Sequence, residues 1–541
     1  MNIRGEIMRK LLFLVLLFVG TAANAACPAG NCYVSNAETN GYLIGNDTNT
    51  GASKTLPFLT YGKAVNAATN GDTIHLNDGS YLTTDGPNGA AYITLTKAVT
   101  ITPETPLGVT ITSTNATYNH YINPSAAGTY TFGAVILDCN NVSAIAVMVN
   151  NTAYSPTFAF SGTKFLNPTQ RGWYIVEDTP ILVSILNSSL VMASTRNDYE
   201  LIAITALASG DVAIDGLALD VTQGGASAGT MNGIKLVSTS GTGSTVTIKN
   251  VTGTVAGNGV LNSKINPGFI SITNLPGYEI SNNNVAFTGL TGGAGIFAYP
   301  GSDNGSIHDN TFTMNWTEGY AVRSTAENAR IYRNTFTNAN TDQSKVPHGI
   351  VVGYDIVGSD TVDSSEVWGN TVSGFCPAYH VVNTGADVKF HHNIAHHNYG
   401  NYVLYSKGGV GSKFYNNTVY SPSGYNGNCF AMQSYDPTGE NQHSTAVEYK
   451  NNICYNSSAN PIFLFTDANQ TAVFANNLFY ATESLITTSW QYAGSNYGSF
   501  AAWQAVDATA KWGDPKFVDA ANLNFRLQAT SAAINAGVVV P

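Results

Sequence analysis

The sequence predicts an all-β solenoid, a single long domain in which coils of three short strands stack into parallel sheets. Three observations predict it. The first is a phrase that recurs between Tyr278 and Tyr480: an apolar or aromatic residue, two variable residues, then Asn. Its copies end at Asn283, Asn310, Asn334, Asn370, Asn393, Asn417, Asn452 and Asn477, with spacings of 27, 24, 36, 23, 24, 35 and 25 residues. A period in this range marks a solenoid. The second is the content of each unit. Short β-prone runs such as Gly349-Ile-Val-Val and Tyr402-Val-Leu-Tyr are separated by Gly, Asn, Ser and Thr. No unit holds a helical stripe, so paired-helix repeats are excluded. The third is composition. Charged residues make up 11% of the 541, against about 25% in an ordinary domain. With 43% hydrophobic residues the chain has ample material for a core, which excludes disorder.

Stacking would place each Asn over the last at about 4.8 Å, so that the side-chain amides form a ladder. The same Asn is expected to adopt the left-handed backbone of a sharp corner.

In chain order, residues 1–25 read as a signal peptide. Arg4, Arg9 and Lys10 precede the apolar run Leu11 to Val19, and Ala23-Asn24-Ala25 ends in a small-residue cleavage pattern. The run is too short to span a bilayer, which takes about 18–20 residues. The protein is therefore expected to be secreted, periplasmic or on the cell surface. Lipidation at Cys27 is the less favoured variant, since the preceding Asn24-Ala-Ala lacks the usual Leu. Residues 26–70 are a lead-in and cap, with Thr60 to Thr69 as an amphipathic cap helix. A cap is needed because a first coil otherwise bares its core and a strand edge. Residues 71–498 are the coils, and those before about Val260, rich in Ser, Thr, Ala and Val, read as scaffold. Residues 499–541 form a C-terminal cap and closing coil, with a short helix over Ser499 to Val506 and Trp503 and Trp512 covering the end. Six cysteines in an exported chain allow disulfides. Cys27 and Cys32 can close a small loop, and two of Cys376, Cys429 and Cys454 can pair.

This pattern resembles the right-handed parallel β-helix proteins of the pectate lyase-like superfamily. The Asn-ended phrases carry the resemblance, together with the opening Gly71-Asp72-Thr-Ile-His-Leu and the closing Asp514-Pro515-Lys-Phe517 and Phe525-Arg-Leu527. It covers nearly the whole mature chain. It specifies fold more than activity, because one scaffold carries many chemistries.

Eight of the ten His lie between His308 and His443, a stretch that also contains both enlarged units and a run of Tyr. Aligning the strands there, with Ile296, Val322, Val352, Val381, Leu404 and Met432 inward, exposes Tyr299, Arg323, His380, Tyr405, Lys407 and Gln433 on one face. Tyr354 and Asp355 follow in the adjacent loop, and Tyr435 adjoins Gln433. Such a face suits a carbohydrate: rings for sugar planes, and cations and amides for carboxylates and hydroxyls. Lys407, followed by Gly408-Gly409, resembles the strand-end lysine of polysaccharide lyases on this fold. That resemblance implies β-elimination of a uronic-acid polymer of pectate or alginate type. The catalytic candidates are Lys407, Arg323, His380, Tyr405 and His348. Tyr299, Tyr354, Gln433 and Tyr435 are candidates for substrate binding. Lys407, His380 and His348 are rival bases and Tyr405 an acid. Asp355, Asp360 and Asp363 are candidate calcium ligands, calcium being the one cofactor considered; a solvated acidic loop is the more favoured reading of them. His391-His392 and His396-His397 read as surface turn residues rather than a metal cluster. The alternative function is a non-catalytic surface protein that binds glycans or mediates adhesion. The net charge of −11 and the lack of a recognition motif exclude nucleic acid as a partner. A polysaccharide partner, no transmembrane segment and a monomer are expected.

Overall fold

The structure is a computed structural model. It describes residues 27–541 except 86–91, 152, 178, 195–197, 224–229, 242, 258–263, 266–267, 341, 343–345, 354–361, 386, 401, 426, 435–442, 458–462, 466–467, 483–489 and 541. The expected signal sequence lies outside the described residues.

The chain winds into a parallel β-solenoid whose three sheets contain 16, 16 and 15 strands among the described residues. One coil illustrates all. Lys389–His391 belongs to the first sheet, Ile394–His396 to the second and Leu404–Lys407 to the third. The next coil repeats this with Lys413–Tyr415, Thr418–Ser421 and Phe430–Gln433, each pairing in parallel with its counterpart. Inward side chains stack on their own kind. Phe390, Phe414 and Tyr449 lie at ring centroid spacings of 5.3 and 5.0 Å, nearly coplanar at 17° and 8°.

The Asn phrase falls at the corner between the first and second sheets, where the predicted ladder forms. From Asn283 to Asn477 each Nδ2 donates to the next Oδ1, at 2.8–3.0 Å. The same oxygen accepts the backbone N–H of the preceding ladder Asn, as between Asn393 and Asn370 at 3.0 Å. One expectation is corrected. The left-handed backbone belongs to the residue before the ladder Asn: Asn282, Asp309, Arg333, Gly369, His392, Asn416, Asn451 and Asn476 all have positive φ. The ladder residue turns its amide inward, while its predecessor makes the bend and faces solvent. That position therefore varies among residues that tolerate the region, His among them.

Both enlarged units carry their extra residues at the exit of the third sheet, between Gly353 and Glu366 and between Gln433 and Val447. At the N-terminal end, Tyr61–Ala67 is helical, with the Thr60 hydroxyl capping Lys63 N–H. Its buried face covers the first coils, and the Tyr61 hydroxyl bonds His120 at 3.1 Å. Cys27 pairs with Cys32, and Cys429 with Cys454 across adjacent coils. At the other end, Phe500–Trp503 forms one helical turn, and the buried Trp503 stacks on Trp490. Lys511–Trp512 is the last strand of the second sheet. After it the chain leaves the coil. Phe517–Asp519 and Asn524–Leu527 make an antiparallel pair lying against Tyr420 and Tyr455. Among the described residues, no helix is long and apolar enough to cross a membrane.

Candidate functional site

The six residues expected to point inward from the third sheet, Ile296, Val322, Val352, Val381, Leu404 and Met432, are fully buried. Alternation then turns their neighbours outward. Phe297, Arg323, Val351, His380, Tyr405 and Ala431 pair in succession as one outward row. Gly353, Val382, Lys407 and Gln433 form the next row. Tyr299 follows its strand, its ring edge-on to Phe297 at 4.0 Å. The structure thus gathers Arg323, His380, Tyr405, Lys407 and Gln433 on one face. Tyr354, Asp355, Asp360 and Tyr435 lie outside the described residues.

Strict alternation fails at the start of these strands, and there sequence reasoning missed two residues. Tyr320 and Arg323 bracket two buried residues, and Tyr402 and Tyr405 do the same. Arg323 Nη1 donates to the Tyr320 hydroxyl at 3.0 Å, and its guanidinium lies 4.9 Å from that ring's centroid. The Tyr402 ring stacks on Tyr405 at 4.6 Å. A legible signal existed: two apolar residues flanked by polar or aromatic ones, as in Tyr320-Ala-Val-Arg323.

His348 pairs with Tyr320 across the sheet and sits against its ring edge. Its Nδ1 is 3.4 Å from Nδ1 of His380. The His380 ring lies over Tyr405 at 4.4 Å, so His380, Tyr405 and Tyr402 form a continuous stack, with His348 edge-on to His380 at 5.2 Å. Stacking hides two residues that were expected to be exposed: His380 and Tyr405 face outward but are only 3% and 4% accessible. His348 and Lys407 remain half-buried. The Tyr405 hydroxyl donates to Gln433 Oε1 at 2.6 Å, and Gln433 Nε2 donates to the Tyr402 hydroxyl at 2.8 Å.

Burial holds the His380 imidazole well below its usual pKa, and electrostatic repulsion of its protonated form by His348, Lys407 and Arg323 pushes the same way. Its Nε2 is buried without a hydrogen-bond partner among the described residues. Burial raises Tyr405, with Tyr402 adding to the shift, so its phenol keeps its proton. A neutral imidazole and a protonated phenol thus lie side by side among cations. Such a face can hold an anion and move a proton.

Asp363 precedes the first-sheet strand Glu366–Trp368, with one carboxylate oxygen buried and lacking a hydrogen-bond partner among the described residues. Among the described residues, three metal-ligating side chains converge only at Cys27, Cys32 and Asp72, where the two thiols are joined as a disulfide. His391-His392 and His396-His397 occupy corners, with His392 and His397 at positive φ. Nε2 of His391 bonds Glu366, and His396 packs on Phe525.

No family model matches this chain, and no curated protein does. Among solved structures, it is similar to the A-module of the mannuronan C-5 epimerase AlgE6 from Azotobacter vinelandii. The two share 11% identity over 75% of this chain and 84% of that one, with a TM-score of 0.29.

Proposed function

We propose that this is an exported enzyme of the pectate lyase-like superfamily that abstracts the proton beside the carboxylate of a uronic-acid polysaccharide and cleaves the chain by β-elimination. The observation that carries the reading is the convergence of Arg323, His348, His380 and Lys407 with Tyr405 on one face of the third sheet. Arg323 and Lys407 neutralise the uronate carboxylate, which makes the adjacent C–H acidic. His348, the more accessible member of the histidine pair, takes that proton, while His380 behind it fixes the ring and stays neutral. The C–H electron pair enters the carboxylate as an enediolate. It then forms the new C=C bond as the bond to the glycosidic oxygen breaks, and that oxygen takes the Tyr405 proton. Returning a proton to the opposite face of the enediolate instead would epimerise the sugar, so the two reactions share their first step. Asp363 is the one described member of the acidic loop offered for calcium, and no step is assigned to the ion.

The test is to incubate purified protein with a panel of polyuronates, with and without calcium, and follow the ultraviolet absorbance of the unsaturated product. A rise with one polymer that vanishes in a folded His348→Ala variant supports the lyase. Solvent deuterium entering the sugar without that rise indicates the epimerase. Neither signal, alongside glycan binding, leaves the non-catalytic surface protein as the better account.

A further inference from the structure

The outward row does not end at the candidate site. Traced back through the sheet, Arg323 pairs with Phe297, then Ser271, Lys235, Ala203, Tyr174, Met148 and Tyr121. Tyr174 is thus five coils from Arg323, about 24 Å at the usual strand spacing. The strand starts repeat the motif of the site: Tyr118 and Tyr121, and Arg171 and Tyr174, each bracket two buried residues. Tyr118 and Tyr121 stack at 5.5 Å with Tyr92 edge-on at 5.6 and 6.2 Å, and Arg171 lies 4.3 Å from the Tyr174 ring centroid. All four tyrosines are half-buried, which leaves part of each in solvent, unlike the fully buried Tyr379 and Tyr449.

The charges here are ordered. Glu200 bonds Arg171 at 2.8 Å and Lys235 at 3.2 Å, and it is the least accessible of the three, 12% against 21% and 34%. Solvent meets the two cations before the carboxylate. A positively fronted tyrosine patch on a chain of net charge −11 is matched to an anionic ligand with apolar faces.

We infer that the tyrosine patch of the N-terminal coils holds a distal stretch of the same polyuronate chain whose reacting sugar sits at His348. This rests on the proposed function and adds that the substrate is a long polymer rather than a short oligomer. The test compares Tyr174→Ala and Lys235→Gln with wild type on a polyuronate polymer and on short oligomers of the same sugar. Both variants are checked for an unchanged thermal melt, and Lys235→Gln, a surface change, serves if Tyr174→Ala folds poorly. The expected result is KM for the polymer raised about ten-fold at unchanged kcat, KM for oligomers unchanged, and weaker retardation in polymer-containing gels. Equal effects on polymer and oligomer, or none on either, overturn the inference while leaving the proposed function standing. A dimer that the variants dissolve, with polymer binding unchanged, also overturns it and assigns the patch to self-association. Wild-type protein that neither binds nor converts any polyuronate overturns the proposed function and this inference together.

Discussion

Asn393 and His380 belong to the same solenoid, one at the corner between the first and second sheets and the other on the outer face of the third. At the corner every coil from Asn283 to Asn477 presents the same side chain to its neighbour, because an amide can donate and accept along the axis at the strand spacing. On the outer face the residues in register are Phe297, Arg323, Val351, His380 and Tyr405, no two alike. The difference teaches where this chain places its variation. Interior repetition holds the coils together, so the outer row is left free to vary.

Breaking each region should therefore injure a different property. The largest effect is expected on the outer face. His348→Ala should lower the proposed reaction by about 100- to 10,000-fold, the usual contribution of a general base, with a denaturation midpoint close to wild type. An equal loss of activity and stability would contradict the separation. At the corner, Asn393→Ala should destabilise by roughly 3 kcal/mol or more, from several buried groups each costing about 1–3 kcal/mol when unpaired. Its Nδ2 donates to Val367 O at 2.9 Å and Asn417 Oδ1 at 3.0 Å, and its Oδ1 accepts from Asn370. Urea unfolding would measure this, and residual activity per folded molecule should stay near wild type.

The same contrast explains what the sequence made legible. The ladder, the coil length and the inward set from Ile296 to Met432 could be read because burial imposes one rule on every coil. The outward placement of Arg323, His380, Tyr405, Lys407 and Gln433 followed from that rule. Tyr320 and Tyr402 did not, because two consecutive buried residues at the strand start break the period of two. The tyrosines of the N-terminal coils read as scaffold in the sequence, since Tyr92, Tyr118, Tyr121 and Tyr174 are scattered along it and meet only through register. Which residue of the corner bends was likewise hidden, because Asn282 and Asn283 are chemically identical and only geometry separates them.

Acid should strain the buried histidines. Burial, followed by His397, lowers His396 to about 4, and burial lowers His120 to about 3. In the unfolded chain both titrate near 6.5. Above that value neither state binds the proton and the shift is silent. Below it the unfolded state binds protons that the folded state refuses, so stability falls as pH drops. The slope is up to about 1.4 kcal/mol per pH unit for each such histidine, and for His396 the window runs from about 6.5 to about 4. His396→Gln should flatten the urea-derived stability curve by about one proton across that window. A curve parallel to wild type would mean that His396 is protonated in the fold.

The smallest effect should come from the residue beside the ladder. His392 has φ of 54° and stands at the exposed bend immediately before Asn393. A Cβ in this region costs about 1–2 kcal/mol, which glycine removes. Glycine also loses more backbone freedom on folding, by roughly 0.5–1 kcal/mol. The ring's contacts to His391 Nδ1 at 2.8 Å and Asn416 at 3.3 Å are lost as well, but they face solvent. These terms nearly cancel, so His392→Gly should shift stability by less than about 1 kcal/mol, read as a small change in urea midpoint at constant m-value. Two adjacent residues of one corner would then differ severalfold in cost. If His392→Gly proved as damaging as Asn393→Ala, the bend would not be the tolerant half of the corner. The variety seen there, from Asn282 through Arg333 to His392, would then need a cause other than tolerance of the left-handed backbone.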